Sequence, residues 1–286
     1  MSAINIRLAG YQPPGSILSQ ALRKLADGIA QRAGGSVDIS LTENVTAAGK
    51  RADALLAMIE GDELDICYFS SSYLAARVTS LALFDRPFAF VDRTTAYAEL
   101  DGATGQAIRD EIAGATGFRV VGFWDNGFRH ISNARRPIRT PADCAGLRIR
   151  TVNNATHQAF FKRLGFEPVF IDIKDLLPAV ADGTVHAQEN PLTNIVNFEL
   201  QRYHRFVSLT SHIFGVALLL TNRERFDAWP PEVQAAVDAA AAEATAAQRL
   251  AAAAEDEACH RRLLAEGVDI VPALDIDRAA FLRAAG

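Results

Sequence analysis

The chain has 286 residues, 49% hydrophobic and 22% charged, with 19 Gly, 11 Pro and a formal net charge of −5. This composition excludes disorder and collagen-like repeats and predicts about two domains, each large enough to bury a core. Arg and Lys are scattered rather than clustered, which argues against nucleic acid as a partner. No apolar run reaches the ~20 residues of a membrane span; the nearest covers residues 213–220 and includes a Gly.

From Ile4 onward short extended runs alternate with helical periods, the rhythm of an α/β fold with largely parallel strands. Ile4, Ile6 and Leu8 alternate as one strand face, and Gly10 to Gly15 makes a turn. Ile17, Leu18, Ala21, Leu22, Leu25 and Ile29 form a helical stripe stopped by Gly34-Gly35. Val37 to Leu41 reads as the next strand, residues around 51–60 as a helix closed by Gly61, and Leu64 to Phe69 as a third strand ending in Ser70-Ser71-Ser72. A second series follows the strand at residues 118–124: a strand at 146–152, a helix at 155–164, a strand at 167–173, a helix at 175–181, and a short strand at Val185-His186-Ala187. Residues 231–266 contain no Gly, begin with Pro and Glu and end at Gly267, the start and stop signals of a helix. As one helix it would be about 54 Å long at ~1.5 Å per residue, longer than a domain of this size is wide, and would cross both lobes. Two helices within one lobe, broken near Glu255-Asp256-Glu257, are the alternative.

Signals for catalysis are sparse. There is no GxSxG elbow, GxGxxG or Walker loop, HExxH or EF-hand loop. Cys67, Cys144 and Cys259 lie far apart without metal-ligand spacing and read as small buried hydrophobes. The six histidines (130, 157, 186, 204, 212 and 260) show no ligand pairing and read as surface or structural groups, while Asp275 and Asp277 read as a helix cap. Arg148 and Arg150 share one face of a strand, and Arg129 follows Gly127-Phe128 near another strand end. A buried guanidinium needs an anion, and its planar fork matches a carboxylate. A solvated surface Arg is the competing reading from spacing alone.

The segments Gly127-Phe128-Arg129-His130-Ile131-Ser132-Asn133, Arg136-Pro137-Ile138, Thr140-Pro141-Ala142-Asp143, Gly146-Leu147-Arg148-Ile149-Arg150, Gly183 and Gln188-Glu189-Asn190-Pro191 occur in that order. Together with Phe84-Asp85-Arg86-Pro87-Phe88 and the long C-terminal helix, the chain resembles the solute-binding proteins of TRAP (tripartite ATP-independent periplasmic) transporters, the DctP-like family. The resemblance implies a two-lobed periplasmic-binding-protein-like α/β fold with hinge strands and a long helix spanning both lobes. Lobe I is expected at 1–122 plus 211–248 and lobe II at 123–210 plus 249–286. It further implies an extracytoplasmic receptor, not an enzyme, that closes on an organic acid in the inter-lobe cleft and delivers it to TRAP membrane subunits. Arg150 is matched to the arginine that pairs with the ligand carboxylate, Arg129 to a supporting arginine, and Asn190 to a ligand-contacting asparagine. Tyr11, Ser70, Tyr73, Asn153, Phe170 and Ile173 are expected to line the rest of the pocket.

No cofactor or metal is implied, and the receptor is expected to be a periplasmic monomer whose signal peptide has been removed. The chain departs from many relatives at Val185-His186-Ala187 and lacks an aromatic at Ile173, so the identity of the acid stays open. An intracellular ligand-sensing domain, or an enzyme on a similar two-lobed scaffold, are the rival readings.

Overall fold

In the computed structural model, which describes residues 3–286, the Ile4, Ile6, Leu8 alternation forms strand β1 (Ile4–Ala9), with Ile6 and Leu8 buried. β1 lies between and parallel to β2 (Val37–Thr42) and β3 (Ile66–Ser70), with Ile4 opposite Val37 and Leu8 opposite Ile66. The β1 to β2 crossover is α1 (Ile17–Ala33). Ser16 caps it by accepting the Ser19 amide at 3.1 Å, Leu18, Leu22, Leu25 and Ile29 form its buried stripe, and Gly34 at φ 55° ends it. α2 (Ala54–Glu60) leads into β3.

The chain folds into two compact units. Unit 1 takes residues up to 80, 97–125 and 216–253; unit 2 takes 81–96, 126–215 and 254–286. In unit 1, β3 runs antiparallel to the second part of β8 (Phe206–Asn222), with Ile66 opposite Thr221. The apolar run in β8 is buried on both faces, Leu218, Leu219 and Leu220 being inaccessible. In unit 2, β4 (Phe118–Asn133) contributes residues 126–133, which run antiparallel to β7 (Ala187–Asn190). β7 is parallel to β5 (Arg148–Thr151), and β5 is parallel to β6 (Glu167–Phe170). Phe88, Ile131, Ile149, Phe160, Phe161 and Phe281 pack into the core of this unit.

Several elements differ from the expected bounds. β4 continues from the expected 118–124 segment to Asn133, with Gly127 at φ 87° inside it; a Cβ at Gly127 would lie 2.8 Å from the Pro191 side chain. The strand expected at Val185-His186-Ala187 lies instead at Ala187–Asn190. Gln188, Glu189 and Asn190 are buried, and pairing with β4 and β5 makes them a strand in spite of their polarity.

Residues 81–96, expected in lobe I, cluster with unit 2, and the other limits fall a few residues further along the chain than expected. The reason for the first shift lies in the Phe84-Asp85-Arg86-Pro87-Phe88 segment. Phe88 enters the unit 2 core and its amide donates to the His212 carbonyl at 2.7 Å. Asp85 accepts from Asn154 Nδ2 at 2.7 Å and pairs with His157 Nε2 at 2.8 Å.

The long C-terminal segment is one helix, α10 (Pro231–Ala265), 35 residues in length and so about 52 Å long. It continues through Glu255-Asp256-Glu257, where Arg93 meets Asp256 at 2.5 Å and Arg261 meets Glu257 one turn on at 3.6 Å. β4, β8 and α10 each contribute residues to both units.

Candidate functional site

The strand β5 separates its two arginines by environment. Arg148 is half-buried and spends its guanidinium on the loop before β7, donating to the Thr184 and Gly183 carbonyls at 2.8 Å each. Arg150 is 1% exposed. Its Nε donates to the Ile171 carbonyl at 2.7 Å, and its Nη2 is buried without a hydrogen-bond partner among the described residues. No carboxylate of the described residues lies within ion-pair distance of it. A charge taken out of water with only a neutral carbonyl beside it is costly unless an anion completes the environment. Arg150 is therefore a buried cation with one donor unspent.

Arg129, on β4, is 5% exposed and stands in a different condition. Its Nε pairs with Glu189 Oε2, and its Nη2 donates to Glu189 Oε1 at 2.8 Å, to the Glu189 carbonyl at 2.7 Å and to Asn190 Oδ1 at 3.1 Å. Burial alone would raise the Glu189 carboxyl, but the Arg129 charge, with hydrogen bonds from His212 and Arg129, outweighs it and holds the acid far below the usual carboxylate range. His212 is shifted down by burial, against the pull of Glu189, and so stays neutral. Its Nε2 lies 3.4 Å from Glu189 and its Nδ1 is 2.7 Å from the Thr210 hydroxyl. With Nε2 protonated, the ring donates to Glu189 and accepts from Thr210.

Asn190 extends the network along β7. Its Nδ2 donates to Gln188 Oε1 at 2.5 Å while its Oδ1 also accepts from Asn194 at 3.2 Å. Gln188 donates to the Ser132 hydroxyl at 2.6 Å, and Ser132 meets His204 Nδ1 at 2.9 Å. His130 and His204 are both pushed down to about 3, chiefly by burial.

Of the expected site residues, the structure joins Arg129 directly to Asn190, and Gln188 links that pair to β5, where it is the register partner of Arg150. The 170–173 segment adjoins Arg150 through the Ile171 carbonyl, with Phe170 partly buried opposite Thr151 and Ile173 buried at the start of α7 (Ile173–Ala181). Asn153 is exposed in the loop before α6 (Ala155–Arg163), next to the capping Asn154. Glu189, Gln188, Ser132, Thr210, His204 and His212 had no role assigned from sequence. The available signal was the acid inside Gln188-Glu189-Asn190-Pro191, because a buried arginine calls for one.

Unit 1 carries Tyr11, Ser70 and Tyr73. Tyr11 is buried with its ring 5.3 Å from that of Tyr68. The Tyr68 hydroxyl accepts the Gln12 and Tyr11 amides at 3.0 and 3.3 Å and lies 3.3 Å from the Ser19 hydroxyl; burial pushes it up to about 12. Gly10 permits this, since a Cβ there would sit 2.2 Å from the Tyr68 ring. Ser70 ends β3, and the half-buried Tyr73 ring lies 5.1 Å from Phe69. These three candidates are uncharged.

Among the described residues no group of three or more His, Cys, Asp or Glu is placed to hold a metal ion. The three cysteines are buried and unpaired with one another, and burial raises the Cys67 thiol to about 12. No described helix is long and apolar enough to cross a membrane.

The family described as bacterial extracellular solute-binding protein, family 7 (DctP), matches residues 8–286. The chain is 31% identical over 266 residues to the 2,3-diketo-L-gulonate-binding periplasmic protein YiaO of Escherichia coli, covering 93% of this chain and 80% of that protein. Among solved structures, a TRAP periplasmic solute-binding protein of Bordetella, with density assigned to pantoate, is similar at 27% identity and TM-score 0.92, covering 99% of this chain and 92% of the other. A TRAP periplasmic solute-binding protein of Polaromonas sp. JS666 bound to D-erythronate is similar at 26% identity and TM-score 0.92, with the same coverages of 99% and 92%. With its two-lobed α/β fold and a match along nearly its whole length, the chain belongs to the DctP family of TRAP solute-binding proteins.

Proposed function

We propose that this receptor holds an organic acid by its carboxylate on Arg150 and passes it to TRAP membrane subunits, with no chemical step of its own. The observation that carries the reading is the buried Arg150 guanidinium, whose Nη2 has no hydrogen-bond partner among the described residues. A carboxylate oxygen there would complete a charge-assisted hydrogen bond in a water-poor setting. Asn190 and Arg129 sit on the neighbouring strands as supporting groups. The carboxylates in the relatives' descriptions, 2,3-diketo-L-gulonate, pantoate and D-erythronate, favour the same ligand chemistry. Tyr11, Ser70 and Tyr73 supply hydroxyls suited to the rest of an oxygenated acid, and Asn153, Phe170 and Ile173 complete the proposed lining.

The periplasm is the proposed compartment, reached with a signal peptide that is afterwards removed. A thermal-shift screen over C3–C10 organic acids tests the reading. A specific acid at 100 times its dissociation constant adds about 2.7 kcal/mol to stability. A screen in which neutral sugars stabilise the protein and no acid does so overturns it.

A further inference from the structure

We propose that unit 1 carries an anion site of its own, a surface pocket in which Arg109 and Arg223 take up a dianionic oxyanion of the phosphate class. Helix α5 (Ala103–Thr116), the first residues of β4, helix α9 (Arg223–Asp227) and the start of α10 border a volume of about 500 Å3 there. All of these residues belong to unit 1.

Arg109 lies three residues after Gln106 and four before Ala113, so the three share the face of α5 that lines the pocket. The half-buried side chain is held in place without being neutralised. Its Nη1 donates to the Val120 carbonyl at 2.6 Å, and its guanidinium carbon stands 4.4 Å from the centre of the Phe123 ring. Its Nε and Nη2 have no partner among the described residues, and no carboxylate there is within ion-pair distance of it. Asp101 attracts this cation from further off, but both Asp101 oxygens are engaged by Arg249, at 2.6 and 3.0 Å. Burial pushes the Arg109 guanidinium down from its ordinary value, the Arg119 and Arg249 charges act the same way, and Asp101 opposes them. A desolvated cation beside like charges has much to gain from an added anion.

The other charges of the pocket differ in what they have to spare. Arg119 stacks 3.9 Å over the Phe226 ring and meets Asp238 with both terminal nitrogens, at 2.8 and 3.1 Å. That pair is matched. Arg223 is fixed by its backbone, whose amide donates to the Gly117 carbonyl at 3.0 Å, while its exposed side chain forms no ion pair among the described residues. Asp110 and Asp227 are exposed, and Asp110 accepts from Gln106 at 2.9 Å. Solvated acids are screened by salt and water far more than a half-buried cation is, so the positive charge of Arg109 dominates its own surroundings although the formal charges of the lining cancel. Two unmatched guanidiniums balance a dianion, and each planar fork can take two of its oxygens.

Calorimetry at pH 7.5 and constant ionic strength, with inorganic phosphate and glycerol 3-phosphate as separate probes, tests the site and distinguishes the free ion from a phosphate monoester as its ligand. The expected result is one-to-one binding of at least one probe, weakened about 10-fold or more by Arg109→Gln and about 3-fold or more by the exposed Arg223→Gln. Asp238→Asn releases the Arg119 charge and should tighten binding about 3-fold, a gain that a merely structural role would not produce. Binding should persist in Arg150→Ala. Phosphate binding that is lost in Arg150→Ala and kept in Arg109→Gln places the anion on unit 2 and overturns the inference while leaving the proposed carboxylate anchor standing. No binding of either probe, or an affinity unchanged in both arginine variants, also overturns it. If Arg109→Gln does not fold, Arg223→Gln and Asp238→Asn decide, since both of those side chains are on the surface.

Discussion

Unit 1 and unit 2 bury polar groups by opposite means. In unit 1 the Tyr68 hydroxyl gathers two backbone amides and a serine hydroxyl, and no charge is involved. In unit 2 an ion pair, three amide side chains, two hydroxyls and two neutral histidines form one buried network around Arg129 and Glu189. The contrast teaches that a neutral hub depends on fit, whereas an ionic one depends on charge balance. Altering one charge in unit 2 should therefore cost more than altering one contact in unit 1.

The sharpest break is Glu189→Ala, which leaves the Arg129 guanidinium buried without its carboxylate. Loss of one partner of such a pair costs about 3–5 kcal/mol, read as a fall in the urea midpoint with an unchanged slope. A loss below about 1 kcal/mol would show that water or backbone groups replace Glu189 at little cost.

Arg150→Ala should act on binding and spare the fold, because its Nη2 has no hydrogen-bond partner and its charge no ion-pair partner among the described residues. Removing the proposed anchor should weaken ligand binding by about 2–5 kcal/mol, roughly 30- to 5000-fold. Arg150→Lys, which keeps the charge and loses the fork, should fall between wild type and Ala. Arg148→Ala is the control, since Arg148 holds only carbonyls. Calorimetry that finds Arg148→Ala the more damaging of the two would remove Arg150 from its role.

In unit 1, Gly10→Ala forces a methyl group against the Tyr68 ring, where the ideal Cβ position lies 2.2 Å away. Overpacking of this kind costs about 1–3 kcal/mol. A variant as stable as wild type would mean that the β1 turn yields freely and that the neutral hub does not depend on fit.

The smallest effect should separate the two units by pH. His130 and His204 have folded values of about 3, below the ordinary 6.5, so the native state binds fewer protons than the unfolded chain between those limits. Stability from these groups is complete above pH 6.5 and is lost as pH falls toward 3. Lowering pH from 7.5 to 5.5 should cost about 1 kcal/mol per histidine. Hydrogen exchange corrected for intrinsic rates should show protection falling first in β7 and the 126–133 part of β4; earlier loss in β1 and β3 would contradict the contrast.

Local pattern by itself determined much of the scaffold. The Ile4, Ile6, Leu8 alternation, the α1 stripe between Ser16 and Gly34, and the Gly-free run after Pro231 each carry their structure in residues close together in the chain, where period, caps and propensity act. The Arg150 motif was legible too, and with it the family.

Tertiary structure decided the rest. Gln188-Glu189-Asn190 has no strand-like hydrophobicity and becomes β7 only because β4 and β5 supply its partners. Residues 81–96 join unit 2 through Phe88 and Asp85, whose partners lie more than sixty positions away. The difference between Arg129, matched by Glu189, and Arg150, left with an unpartnered nitrogen, cannot be read from two arginines on strands. It arises from which distant side chain the fold brings into the same desolvated space, and in that space the balance of charge is set by contacts of a few ångströms.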